Sequence, residues 1–113
     1  MAEKREGEPF TRITVQEAKE MIDRGGVQVI DTREPWEHEE GHVPDSVRIQ
    51  HMAILTQADK LATDRPILFI CRSGQRSAVA AEFAASLGLT DLYNVEGGHQ
   101  AWAAEGYPME TGN

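Results

Sequence analysis

The chain of 113 residues contains a single cysteine, Cys71. One thiol excludes an internal disulfide framework and any cysteine-rich metal site, and it makes a reducing, cytoplasmic setting the expected one. Positive charge is scarce: 11 Lys and Arg stand against 19 Asp and Glu, a formal charge of −8. Nucleic acids are bound by basic faces that displace phosphate counterions, so nucleic acid is excluded as a bulk partner. Long apolar runs are missing too. The longest aliphatic stretch is Ile67-Leu68-Phe69-Ile70, against roughly 20 apolar residues for a bilayer-spanning helix, and no membrane partner is expected. The opening Met-Ala-Glu-Lys-Arg-Glu-Gly-Glu lacks the apolar core of a secretory signal. What remains is 40% hydrophobic and 27% charged residues, the composition of an ordinary globular domain, at a length that suits one such domain.

Residues 1–10 are charged and carry Gly7 and Pro9; they read as a flexible lead-in to a single domain over 11–110. Thr14 and Glu17 have the spacing of a capping box, predicting a helix that buries Ala18, Met21 and Ile22 and stops at Gly25-Gly26. Val27-Gln28-Val29-Ile30 reads as a strand ending at Asp31, and Val47-Arg48-Ile49 as another. Between them Pro35 opens a short helical turn closed by Gly41. Thr56 is expected to cap a helix through Ala62, before the break at Asp64-Arg65-Pro66. Ile67–Ile70 is apolar at every position, as in the middle of a parallel sheet. An Ala-rich helix over Ser77–Leu87 follows, then a strand over Leu92–Val95 and a helix over Gln100–Glu105. Alternating strands and helices predict an α/β fold with a parallel sheet.

The segment Cys71-Arg72-Ser73-Gly74-Gln75-Arg76-Ser77 carries the chemistry. It places the thiol at the C-terminal end of a buried strand, the edge where open parallel sheets bind ligands. The next helix begins at once, so its free N–H groups and dipole point at the sulfur. Arg72 and Arg76 add positive charge, and no acid occurs from Arg65 to Ala81. Such a pocket lowers a thiol pKa and holds an anion attached to the sulfur or attacked by it. Gly74 suits a tight loop that needs positive φ.

Four segments together resemble the rhodanese-like, single-domain sulfurtransferases: Val29-Ile30-Asp31-Thr32-Arg33-Glu34, Gly41-His42-Val43-Pro44, the Cys71–Ser77 loop, and Glu96-Gly97-Gly98 with Trp102. The resemblance implies a rhodanese-like α/β domain, a parallel sheet of about five strands flanked by helices on both faces. It also implies a Cys71 persulfide cradled by the amides of Arg72, Ser73, Gly74, Gln75, Arg76 and Ser77. Asp31 and Arg33 would form an ionic network at the loop edge, and His42 would belong to a structural turn. The implied partners are a small sulfur donor such as thiosulfate and a cyanide or thiol acceptor, a protein thiol among the candidates. No cofactor or metal is implied. The sequence departs from the family at Asp45-Ser46, where Gly-Ala is usual, and at His38 and His99, where apolar or aromatic residues are commoner.

Two other functions share these features. Phosphatases and arsenate reductases of similar fold use Cys-x5-Arg loops, whereas Cys71 to Arg76 is Cys-x4-Arg and supplies no general acid. Non-catalytic modules of the family commonly lose the cysteine, which is retained here. His38-Glu39-Glu40-Gly41-His42 matches the H-E-x-x-H pattern of zinc proteases. Gly41 and Pro44 deny it the stable helix that would align two ligands. Trp36 and Trp102 read as core, Gly97-Gly98 as a tight turn, and Glu34, Glu37, Glu39 and Glu40 as a solvated face.

Overall fold

The computed structural model describes residues 2–112. Thr14 caps the first helix, α1 (Val15–Arg24): its side chain accepts from the Glu17 N–H, and the Glu17 carboxylate accepts from the Thr14 N–H at 2.8 Å. Gly25, at a φ of 80°, ends the helix. The strands that follow are β3 (Gln28–Asp31), β4 (Val47–Arg48), β5 (Ile67–Ile70) and β6 (Leu92–Val95). Before α1 lie β1 (Glu3–Lys4) and β2 (Thr11–Ile13); the remaining helices are α2 (Pro35–Glu40), α3 (Gln75–Ser86) and α4 (Gly98–Ala104).

One sheet contains all six strands in the order β1-β2-β6-β5-β3-β4, with β1 antiparallel and every other pairing parallel. About five strands were expected from the family resemblance, and the sixth is β1. It lies inside the stretch read as a lead-in and pairs Glu3 with Arg12 and Lys4 with Thr11. Both of its residues are exposed. An edge strand held by backbone hydrogen bonds alone leaves no apolar pattern, which is why composition hid it. Phe10, in the same stretch, is 2% exposed and sits in the core.

Strand β5 is the centre of the sheet and buried on both faces, as its unbroken apolar run predicts. Its period-two alternation divides the core: Ile67 and Phe69 join Phe10, Ile30, Ile54 and the α3 alanines, while Leu68 and Ile70 join Val15, Ala18, Val95 and Trp102. Ala80, Ala81 and Ala84 of α3 are wholly buried. With only methyl groups on that face, α3 lies close against the sheet and fixes where its own N-terminus points.

Two elements differ from the sequence reading. The helix expected over 56–62 is replaced by short 3₁₀ turns at His51–Ala53 and Ala58–Lys60. Thr56 donates its hydroxyl proton back to the Ala53 carbonyl at 3.1 Å instead of accepting from a following N–H, so it caps no helix. Trp102 is core, but Trp36 is 60% exposed. The single short turn of α2 spends its inward face on Glu37 and His38, both buried, which leaves Trp36 outside.

Asp45 is the one non-glycine residue with positive φ, at 65°, among the described residues. Left-handed backbone presses Cβ against the next carbonyl. The Asp45→Gly variant is therefore expected to gain about 0.5–1 kcal/mol after its own unfolded-state entropy is counted, a rise of a few degrees in Tm. Thermal unfolding by circular dichroism checks this, and an unchanged or lower midpoint would contradict it.

Candidate active site

Strands β3, β5 and β6 deliver their C-terminal ends to one edge of the sheet, and β5 hands over to Cys71 there. The chain turns outward from β3 to β4 and then returns to the opposite side of β3 for β5. This reversal opens the crevice at which α/β sheets bind ligands.

Cys71 is 1% exposed. The Gly74 N–H donates to its Sγ at 3.0 Å, and the Ser77 hydroxyl lies 3.4 Å away. Burial pushes the thiol up, but the Ser77 hydroxyl and the backbone N–H groups of Ser77, Gly74 and Ser73 outweigh it and hold the thiol below its ordinary value. Gly74 adopts a φ of 111°, a left-handed turn that aims these amides inward.

A loop whose amides face inward turns its carbonyls outward, and each needs a donor. Helix α4 supplies them: the His99 N–H reaches the Cys71 carbonyl at 2.8 Å and the Gln100 N–H reaches that of Arg72 at 3.0 Å. Gly98 permits the approach. A Cβ at that position would lie 2.4 Å from the Cys71 oxygen and 2.5 Å from the Arg72 oxygen.

Asp31 and Arg33 are brought together under the loop. Arg33 donates from Nε and Nη2 to the two Asp31 oxygens, each at 2.8 Å, and to the Gly41 carbonyl at 2.7 Å. His38 Nδ1 lies 2.8 Å from the same carboxylate. Burial opposes the Asp31 charge, yet the hydrogen bonds from Arg33 and His38 keep its carboxyl below the usual range. His42 stacks on His38 with ring centroids 3.6 Å apart, and its Nδ1 reaches the His38 carbonyl at 2.7 Å. The H-E-x-x-H histidines thus spend their Nδ1 atoms on a carboxylate and a carbonyl and face each other in parallel. Each is a joint in a turn.

Arg72 and Arg76 differ. Arg76 forms a fork with Glu37, at 2.7 and 2.9 Å, and this pairing raises the Arg76 pKa and lowers that of Glu37. Arg72 is exposed, with no ion-pair partner among the described residues. It borders a cleft of about 330 Å³ shared with Arg33, Trp36, Glu37, Glu40, His99 and Gln100. Ser73 and Gln75 are exposed on the loop, and Ser77 is buried behind it.

Sequence reasoning placed Glu37 on a solvated face, where it is in fact the buried anchor of Arg76. Asn94 it passed over. A polar residue at an inward position of a four-residue buried strand was the available signal. His99 it recorded only as a departure from pattern, and the structure puts it against the Cys71 carbonyl.

A family model described as Rhodanese-like domain matches residues 14–105. The thiosulfate sulfurtransferase GlpE of Pseudomonas syringae pv. syringae is 33% identical over 102 residues, covering 90% of this chain and 94% of that protein. Among solved structures, a rhodanese-related protein from Thermoplasma volcanium superposes with a TM-score of 0.80 at 36% identity, covering 88% of this chain and 96% of that one. A Rhodopseudomonas palustris protein described as a possible tyrosine phosphatase reaches 0.79 at 29% identity, over 88% and 83% of the two chains. No helix among the described residues is long and apolar enough to cross a membrane.

The His99 ring yields a pH prediction. Its Nδ1 lies 2.9 Å from the Cys71 carbonyl and its Nε2 3.3 Å from Arg33 Nη2. A carbonyl only accepts and a guanidinium only donates, so the ring is neutral with its proton on Nδ1. Burial, with Arg33 alongside, pushes its pKa down to about 4 against an ordinary 6.5. The unfolded chain therefore binds the extra proton first, and stability falls as pH drops from about 6.5 towards 4, by up to about 3 kcal/mol. Asp31, with its lowered pKa, titrates below this window. In thermal unfolding between about pH 7 and 4.5, the loss of Tm is expected to be shallower in His99→Gln than in wild type; equal slopes would refute the assignment.

Proposed function

The chain belongs to the rhodanese-like domain family, and from that premise we propose that it transfers a sulfane sulfur from a donor such as thiosulfate to cyanide or a thiol through a Cys71 persulfide. The observation that carries this reading is the Gly74 amide on Cys71 Sγ at the start of α3. Thiolate attacks the outer sulfur of the donor: a new S–S bond forms, the donor's own S–S bond breaks, and sulfite departs with the electron pair. Cyanide or a thiolate then attacks the outer sulfur of the persulfide, and the bonding pair returns to Cys71 as the thiolate leaves. This is covalent catalysis in two half-reactions, and ping-pong kinetics follow.

The loop residues take distinct roles. The amides of Ser73, Gly74 and Ser77 face the sulfur and would stabilise its negative charge before and after loading, with those of Arg72, Gln75 and Arg76 completing the loop. Arg72, exposed and unpaired beside the cleft, meets the anionic end of the donor. Arg76 is committed to Glu37 and holds the loop to α2, acting on the sulfur through its field. The Cys-x4-Arg loop is one residue short of the Cys-x5-Arg cradle that surrounds a tetrahedral oxyanion, so its amides lie closer to a single sulfur.

Incubation with thiosulfate is expected to add one sulfur atom to the intact mass, removable by cyanide. The Cys71→Ser variant, nearly the same shape, should keep the fold and lose both the adduct and thiosulfate:cyanide activity. Near-wild-type activity in that variant would end the mechanism.

The two arginines are separated by kinetics and melting. Arg72→Ala should raise KM for thiosulfate several-fold at unchanged Tm, with the donor's affinity in wild type falling as salt is added. Arg76→Ala leaves Glu37 buried without its partner and should cost about 1–3 kcal/mol of stability. The opposite pattern, with Arg72→Ala melting early and Arg76→Ala changing only KM, would reverse the roles.

A further inference from the structure

The Ser77 hydroxyl has one proton and two acceptors. Cys71 Sγ lies 3.4 Å from Ser77 Oγ and Asn94 Oδ1 lies 2.5 Å from it. Ser77 and Asn94 are both fully buried. The Asn94 carboxamide cannot turn over, because its Nδ2 donates to the Gly74 carbonyl at 3.1 Å and to Glu96 Oε2 at 2.7 Å. Both of those atoms only accept. Glu96 is fixed in turn by Arg12, whose Nη1 donates to it at 2.8 Å. The Asn94 oxygen is therefore held facing Ser77, and two oxygens this close need a proton between them. The amide oxygen has none to give, so it comes from Ser77.

We propose that Asn94 is a positioning residue for the Cys71 chemistry, keeping the Ser77 proton off the sulfur while Cys71 is a neutral thiol and yielding it when the sulfur becomes an anion. The proposal rests on the reading of Cys71 as the nucleophile. In the thiol state Ser77 Oγ turns a lone pair towards Cys71 and can accept the S–H. Once that proton is lost, rotation about the Ser77 C–O bond aims the hydroxyl at Sγ. No covalent bond changes. The rotation forfeits the hydrogen bond to Asn94, so Asn94 limits how far Ser77 favours the thiolate, while the Gly74 amide stays on sulfur throughout. The same rotation serves a persulfide anion.

Other titratable or charged groups lie around this thiol: Arg72 on the loop, Arg76 of α3 with its Glu37 partner from α2, the neutral His99 of α4 at the Cys71 carbonyl, and Glu96 behind Asn94. All are retained when only Asn94 or Ser77 is changed. Asn94→Leu also withdraws the donor from the Gly74 carbonyl and Glu96, so the hydroxyl's share is read by comparing Ser77→Ala in the two backgrounds.

Asn94→Leu keeps the side-chain shape and removes the competing acceptor. The ionisation of Cys71 is read from its rate of alkylation by iodoacetamide across about pH 5 to 10. Freed from competition, Ser77 should lower the titration midpoint in Asn94→Leu and raise the thiolate fraction at neutral pH by about threefold or more, the worth of one hydrogen bond. Ser77→Ala should abolish that gain in the Asn94→Leu background and have a smaller effect in wild type. A midpoint that rises in Asn94→Leu, as a slackened loop would give, overturns the proposal; so do equal effects of Ser77→Ala in both backgrounds. If Asn94→Leu does not fold, wild-type protein still decides. Its Asn94 side-chain carbonyl ¹³C resonance should titrate with Cys71 and stay flat in Cys71→Ser, and a flat wild-type resonance overturns the proposal. These readouts follow ionisation and not sulfur transfer. Protein that passes them and takes no sulfur from thiosulfate would sink the proposed function alone.

Discussion

A backbone loop that points its N–H groups at a sulfur must turn its carbonyls the other way, and in a buried setting those carbonyls need donors. Much of this structure follows from that constraint. The Cys71 and Arg72 carbonyls are met by the first turn of α4, and the Gly74 carbonyl by the Asn94 side chain. All three donors come from one stretch, the end of β6 and the turn into α4. The glycine at 98 exists in service of the same contact, since any side chain there would collide with the loop's oxygens. The sulfur's environment is thus made by α3 from one side and guarded by β6 and α4 from the other.

The second layer is ionic. In a chain with an excess of acid, the positive charges near Cys71 are shared out with little left over. Arg33 is consumed by Asp31, the Gly41 carbonyl and the His99 ring; Arg76 is consumed by Glu37. The Asp31–Arg33 pair is withdrawn from water and the Glu37–Arg76 pair partly so, and a buried charge without its partner is costly. They hold β3, α2 and α3 in position around the loop. Among the described residues, the loop guanidinium left without an ion-pair partner is that of Arg72, which lies on the exposed side. Division of labour between arginines that look alike in sequence is therefore set by which carboxylate each one reaches.

The histidines illustrate the same point. A zinc-protease spacing in sequence becomes a stacked pair in a turn, because the helix ends at Gly41 before two ring nitrogens can be aimed at a common point. His99, which has no motif to announce it, is the ring that bridges the ionic network to the loop carbonyl.

Local chemistry made several features legible in the sequence alone. The Thr14–Glu17 box, the stop at Gly25, the uniformly apolar β5 and the strand–loop–helix around Cys71 depend on residues close together in the chain, and short-range physics decides them. Strand β1 was hidden because an exposed edge strand needs only backbone pairing, and the 3₁₀ turns at 51–60 because a threonine hydroxyl serves as cap or donor with equal ease. Exposure of Trp36, burial of Glu37, and the convergence of Asn94, Glu96 and Arg12 behind the loop were fixed by tertiary structure. Each joins residues far apart in sequence, and which polar groups meet in a low-dielectric interior depends on how the strands are ordered in the sheet, an outcome of global packing that no local pattern encodes.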